Sequence, residues 1–214
     1  ITNIWKGHQQ KSVRKLNQFN TFVRFGLAAN IIAKVRSLSE NTMDNVVSSR
    51  KPFGLPTNIT PLESGDLTLI SNSGEGLFPK HLVTSGREMI DKWKVLTSKV
   101  SYDHAGQPNK DGQRRVLSKI ILAPPNTVCT ETYLVVSALN TEQDCLNLQE
   151  YLKLKFTRFL IAQMSFSQDI TKDRFAFVPV QDWTIMYTDD MLYKKYNLSN
   201  DEIAFIENSI MDMP

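Results

Sequence analysis

"KIILAPPNTVCTETYLVVSALNTEQDCLNLQEYLKLKFTRFLIAQM", residues 119–164, changes its hydrophobic period once, and that change decides the fold class. Its first half is β-branched and apolar, with Pro124 and Pro125 inside it. It predicts two strands, 119–123 and 129–138, on either side of the prolines. Thr141 can then cap a helix, with Asp144 three residues later in a near capping box. Beyond it Leu148, Tyr151, Leu152, Phe159, Leu160 and Met164 step by threes and fours, which predicts one amphipathic helix over about residues 142–166.

Working outward, "DLTLISNSGEGLFPKHLV" (66–83) predicts strand, turn, strand. A further strand is expected around Trp93–Val100, followed by an exposed loop in "HAGQPNKDGQRR" (104–115). Downstream, "RFAFVPVQDW" (174–183) reads as a strand ended by Pro179. The tail from Thr188 gives two short helices capped by Thr188 and Ser199. Upstream, Val13, Leu16, Phe19, Val23, Leu27 and Ile31 predict an amphipathic helix over 8–38, interrupted near Gly26. Its other face would carry Lys11, Arg14, Lys15, Arg24, Lys34 and Arg36. The expected fold is α+β: a strand-rich central sheet with an amphipathic helix packed on it, an N-terminal helix and short C-terminal helices. Residues 1–40 read as a helical linker segment, 41–182 as the functional domain and 183–214 as a helical tail.

Hydrophobic residues make up 41% and charged residues 22% of the 214, so a packed core is expected. No apolar run approaches 18 residues, which argues against a membrane partner. The start, "ITNIWKGHQQKS", has no signal-peptide core and no Met, and reads as part of a longer protein. Cys129 and Cys145 make no disulfide framework, and a reducing cytoplasm fits them. Net charge is uneven. Residues 1–119 hold 18 Lys and Arg against 9 Asp and Glu, whereas residues 120–214 hold 7 against 13. A basic half joined to an acidic half points to a polyanionic partner, or to a solvated surface.

Several chemistries lack their residues. His8, His81 and His104 are far apart and neither cysteine has a second at metal-ligand spacing, so no metal site is expected. There is no G-x-S-x-G elbow. "SNSGEGLF" (71–78) lacks the third glycine of a nucleotide loop and reads as a hairpin turn. Common metal-dependent nucleases place an acid two residues before a lysine, and no Asp-x-Lys or Glu-x-Lys occurs in the chain. Amino-methylating enzymes typically use Asn/Asp-Pro-Pro-aromatic. "APPNT" (123–127) puts Ala and Asn where the acting groups would stand, so no catalytic residue is assigned.

Duplex DNA requires cations for phosphates and polar groups for base edges, on segments stiff enough to hold a register. Three segments supply them. "SSRKPFGLPTNIT" (48–60) offers Ser49, Arg50 and Lys51 on a loop stiffened by Pro52 and Pro56, with Phe53 anchoring it from below. "DKWKVLTSK" (91–99) adds Lys92, Lys94 and Lys99, and "NKDGQRR" (109–115) adds Lys110, Gln113, Arg114 and Arg115. In "VCTETYLVV" (128–136) alternation puts Thr130 and Thr132 on one face, Glu131 and Tyr133 on the other. Thr130 joins the candidate contacts, with a purely structural role the alternative.

"VSSRKPFGLPTN" (47–58), "IDKWKVLTSKV" (90–100), "PNTVCTETYLVV" (125–136), "LKLKFTRFLI" (152–161), "DRFAFVPVQDW" (173–183) and "YTDDMLYKKYNLSNDEIAFIENSI" (187–210) occur in this order. Together they resemble the C-terminal part of adenine-specific DNA methyltransferases of bacterial restriction-modification systems, the class with an Asn-Pro-Pro-Tyr/Phe motif upstream. The resemblance covers about residues 43–214. It implies a target recognition domain over 41–182, double-stranded DNA as partner, and a bacterial cytoplasmic location. It also implies an adjoining catalytic domain that binds S-adenosylmethionine, leaving no cofactor in this chain, and a nuclease subunit or domain as a further partner. The competing expectation is a protein-interaction module of a restriction-modification complex, its acidic half docking a partner subunit. A catalytic nuclease is a third, disfavoured by the missing acid-x-Lys.

Overall fold

The computed structural model describes residues 2–5, 8–11, 13, 18–19, 21–103, 107–164 and 167–213, with backbone alone at 2–5 and 8–11. In chain order the strands are β1 (Thr2–Trp5), β2 (His8–Lys11), β3 (Leu67–Ser71), β4 (Gly74–Phe78), β5 (Trp93–Ser98), β6 (Ile120–Ala123), β7 (Thr127–Cys129) and β8 (Tyr133–Leu139). The helices are α1 (Gly26–Ser37), α2 (Glu142–Lys153), α3 (Lys155–Gln163), α4 (Asp189–Lys195) and α5 (Asn200–Ser209). The fold is α+β, as the sequence predicts.

The antiparallel sheet β6-β5-β8 divides the molecule into layers. Alternation along β8 sends Leu134 and Val136 to one face, Tyr133 and Val135 to the other, and all four are buried. On the first face lie Leu148, Tyr151 and Leu152 of α2, with Ile31 and Ile32 of α1 and Phe205 and Ile206 of α5. The segments read as linker and tail therefore share one core with the middle of the chain. On the second face, the smaller sheet β4-β3-β7 packs Leu69 and Val128 against Phe53. Among the described residues no helix is long and apolar enough to cross a membrane.

Strong local signals formed as expected. Thr141, Thr188 and Ser199 each accept a backbone N–H at a helix start, and Ser199 with Glu202 completes a capping box. "SNSGEG" closes a two-residue hairpin loop with Ser71 opposite Gly74. Gly74, at φ 119°, fits that turn as no L side chain readily would.

Four expectations change. Residues 8–11 form a strand paired with residues 2–5, and the helix begins only at Gly26. Of its expected stripe, Phe19, Val23 and Ile31 are buried while Val13 is fully exposed; Arg14, Lys15 and Leu16 lie outside the described residues. The strand expected over 129–138 splits between two sheets, because Thr130–Thr132 is a turn carrying the chain from β7 to β8. The helix expected over 142–166 breaks at Leu154, which adopts extended backbone (φ −59°, ψ 144°). Arg158 Nε then donates to the Lys153 carbonyl at 2.9 Å, and the Asp189 carboxylate accepts from Lys155 N and Phe156 N at 3.1 and 2.8 Å. Both new helix ends are thus satisfied by side chains, one from α3 itself and one from α4. Finally, "RFAFVPVQDW" forms no strand. A 3-10 turn over Lys172–Phe175 buries Phe175, and a single bridge joins Pro179 to Thr42.

Lys94, expected at a DNA surface, is fully buried in β5. Its ammonium donates to the carbonyls of Met89, Ile90 and Lys92 at 3.0, 3.0 and 2.6 Å, closing the turn before the strand. Burial pushes its pKa from the ordinary 10.5 to about 8. The folded state therefore binds fewer protons than the unfolded one between those values, and stability rises with pH across that window. Lys94→Met removes this rise. In urea unfolding, the wild type is expected to gain about 2 kcal/mol on the variant between about pH 7.5 and 9.5. A pH-independent difference would contradict the buried ammonium.

Candidate nucleic-acid interface

The loop after residue 47 is tied to the central sheet at its start. Ser48 N donates to the Val135 carbonyl at 2.8 Å, and Val135 N donates to Ser48 Oγ at 2.9 Å. Gly54 N then closes a turn on the Lys51 carbonyl at 2.9 Å, with Pro52 and Phe53 at its centre. Pro52 and Phe53 are buried, so the aromatic anchors the loop as expected. Ser49, Arg50 and Lys51 stay exposed.

Glu131 organises this loop. Its N–H donates to the Leu55 carbonyl at 2.8 Å and its Oε1 accepts from Thr57 Oγ1 at 3.0 Å. Its Oε2 lies 3.4 Å from Arg50 Nε and 3.8 Å from Lys51 Nζ. Burial opposes ionisation of this carboxyl. The Thr57 bond and the cations Lys51, Arg50 and Lys99 outweigh it and hold the pKa below the usual carboxylate range.

Beside the loop is a cleft of about 220 Å³. Ser49 and Arg50 form one wall, Lys99 and Leu134 the floor, and Asp169–Asp173 the other wall. The far wall is zipped to the floor, with Ile170 N donating to the Lys99 carbonyl at 2.6 Å and Ser101 N to the Gln168 carbonyl at 2.8 Å. Arg50, Lys99 and Lys172 thus share one cleft with Asp169 and Asp173, with Glu131 beside Arg50 and Lys51, and the exposed cations are Arg50 and Lys51 of the loop and Lys172 of the opposite wall.

Of the candidate contacts, the structure brings Ser49, Arg50, Lys51 and Lys99 together. Lys92 is exposed, but it precedes β5 whereas Lys99 follows it, which sets them roughly 20 Å apart along the strand. Lys110 is exposed on its own loop, and Gln113 is half-buried with its backbone paired to Asn109. Three candidates turn inward, away from any phosphate. Lys94 is caged by carbonyls as above. Thr130 is fully buried and donates to Thr132 Oγ1 at 3.1 Å. Arg114 donates from Nε to Asp103 Oδ2 at 3.2 Å and from Nη1 to the Ala162 carbonyl at 3.0 Å, tying the loop to α3. Burial of its guanidinium lowers its pKa, with Asp103 opposing the shift. Arg115 lies over the Tyr102 ring, 4.6 Å from its centroid.

Glu131 was read only as part of a strand face, and Lys172 and the two aspartates were not singled out by sequence. Lys172 and Asp173 were hidden by reading the neighbouring segment as strand, and Glu131 by reading its turn as strand. "APPNT" forms a tight β6–β7 turn, in which Asn126 (φ 63°) uses its N–H on the Ile90 carbonyl and its carbonyl on Thr68 N. Among the described residues no three His, Cys, Asp or Glu side chains gather as metal ligands. No protein-family model matches the chain, and no curated protein matches it either.

Proposed function

We propose that this chain is the DNA-binding target recognition part of an adenine-specific methyltransferase of a restriction-modification system, gripping duplex DNA along the edge formed by Ser49, Arg50, Lys51 and Lys99. Catalysis and S-adenosylmethionine belong to an adjoining domain, to which this part presents one adenine for extrusion from the stack. The observation that carries the reading is Lys51. It occupies the left-handed region at φ 59°, where glycine or asparagine costs least, yet holds a long exposed cation beside Arg50. A cation kept on unfavourable backbone supports a role in binding an anion.

Lys51→Gly tests this directly. Relief of the left-handed backbone offsets the added freedom of the unfolded chain, so the unfolding free energy should stay within about 1 kcal/mol of the wild type. Duplex affinity should fall severalfold and the salt slope should shrink by about 0.9, the share of one phosphate. Unchanged affinity and slope would remove Lys51 from the interface.

A second reading, a module that docks a partner subunit, is favoured by another face. Ile185 and Met186 are exposed just before α4 and Met191 in its first turn, with Asp182 and Asp190 exposed nearby in sequence. Weak, salt-insensitive DNA binding would favour it.

A further inference from the structure

Tyr102 is 53% exposed, although Ser101 and Asp103 on either side of it are buried. One face of its ring is covered by the Arg115 guanidinium. Beneath the pair, the Asp103 carboxylate accepts from Arg114 Nε, Arg115 N and Val116 N at 3.2, 2.9 and 3.0 Å. Val116 is fully buried at φ 72°, a conformation that β-branched residues rarely adopt. Its carbonyl is held by Ser101 Oγ at 2.6 Å and by Tyr102 N at 3.3 Å. Arg115 Nε is buried without a hydrogen-bond partner among the described residues, so that part of the guanidinium serves the ring face instead of an acceptor. Fold stability explains the buried Asp103 and Arg114. It does not explain strained backbone that fixes an arginine behind an exposed aromatic.

We propose that Tyr102, backed by Arg115, is a stacking platform for one unpaired nucleobase. The base would lie on the open ring face, while the guanidinium fixes the ring plane and places positive charge beside the nucleotide. Stacking of this kind reads no sequence, because every base has a π-face. It therefore complements the phosphate contacts at Ser49–Lys51. The platform rests on the DNA-binding reading above and assigns it a second, single-stranded element.

The test measures anisotropy of the full 214-residue chain on a labelled single-stranded oligonucleotide, a duplex with one mismatch, and a fully paired duplex. Tyr102→Ala is expected to weaken binding to the single strand and the mismatch by about 5- to 100-fold, with the salt slope unchanged because every phosphate contact remains. Tyr102→Phe keeps the ring and is expected to bind like the wild type. Equal affinity of Tyr102→Ala and wild type for the single strand, with a steep salt slope on duplex, would overturn the platform and leave duplex binding standing. Equal weakening in Tyr102→Phe and Tyr102→Ala would also overturn stacking, assigning the contact to the hydroxyl. Failure of the wild type to bind any of the three nucleic acids would overturn platform and DNA reading together.

Discussion

Asp103→Ala is expected to lower the unfolding free energy by about 3–5 kcal/mol, the usual cost of removing one partner from a buried ion pair. Asp103 is 7% exposed, and its carboxylate serves three donors at once. Without it the Arg114 guanidinium, 15% exposed, stays in the interior with only the Ala162 carbonyl to bond. The N–H groups of Arg115 and Val116 lose their acceptor, which adds a desolvation cost of about 1–3 kcal/mol for each N–H left unmatched. Val116 also loses a restraint on its left-handed backbone, strain of about 1–3 kcal/mol that only the surroundings maintain. For a chain of this size the expected fall in Tm is about 10 °C or more. Thermal unfolding followed by circular dichroism checks it. Asp103→Asn keeps acceptor oxygen but not charge, and should lie between the two. A fall in Tm of less than about 2 °C for the alanine variant would show that Asp103 is not the hub its bonds describe.

How far the sequence could be read follows from the range of the interactions involved. Helix starts at Thr141, Thr188 and Ser199 were legible because a cap is satisfied within three residues of itself. The 67–78 hairpin was legible because its turn residues stand between two apolar runs. The break at Leu154 was not. No Gly or Pro marks it, and its new ends are closed by Arg158 and by Asp189, which lies 33 residues beyond Phe156. The same applies to the split at Thr130–Thr132, where β-compatible residues turn because β7 and β8 belong to different sheets.

The candidate interface shows a similar limit. Residue type and loop chemistry pointed to Ser49, Arg50 and Lys51, which the structure leaves exposed on a braced turn. Lys94 and Arg114 look like surface cations in sequence, since nothing local announces a cage of carbonyls or a buried aspartate. Glu131 was seen only as half of a strand pair. Its work at Arg50, Lys51 and Thr57 depends on residues 74 to 81 positions earlier, which no local pattern encodes.

Arg50→Ala with Lys51→Ala carries the largest expected effect on binding. Both side chains are open to solvent, at 69% and 48%, and both lie within 4 Å of Glu131. Their pairing with that carboxylate is worth only about 0–1 kcal/mol each at such exposure, so stability should change little. Binding is another matter. Removing the cations for two phosphates should weaken duplex affinity by about 10- to 100-fold at low salt and shrink the slope of log affinity against log salt by about 1.8. Glu131, left facing the DNA without its cations, adds repulsion of the same sign.

The most direct measurement is therefore anisotropy of labelled random duplex DNA with the wild type and this double variant, from about 50 to 300 mM salt. A steep wild-type slope that becomes shallower by about 1.8 in the variant is the predicted result. A flat wild-type slope, or the same slope in both proteins, would contradict a DNA-gripping role for the Ser49–Lys51 edge.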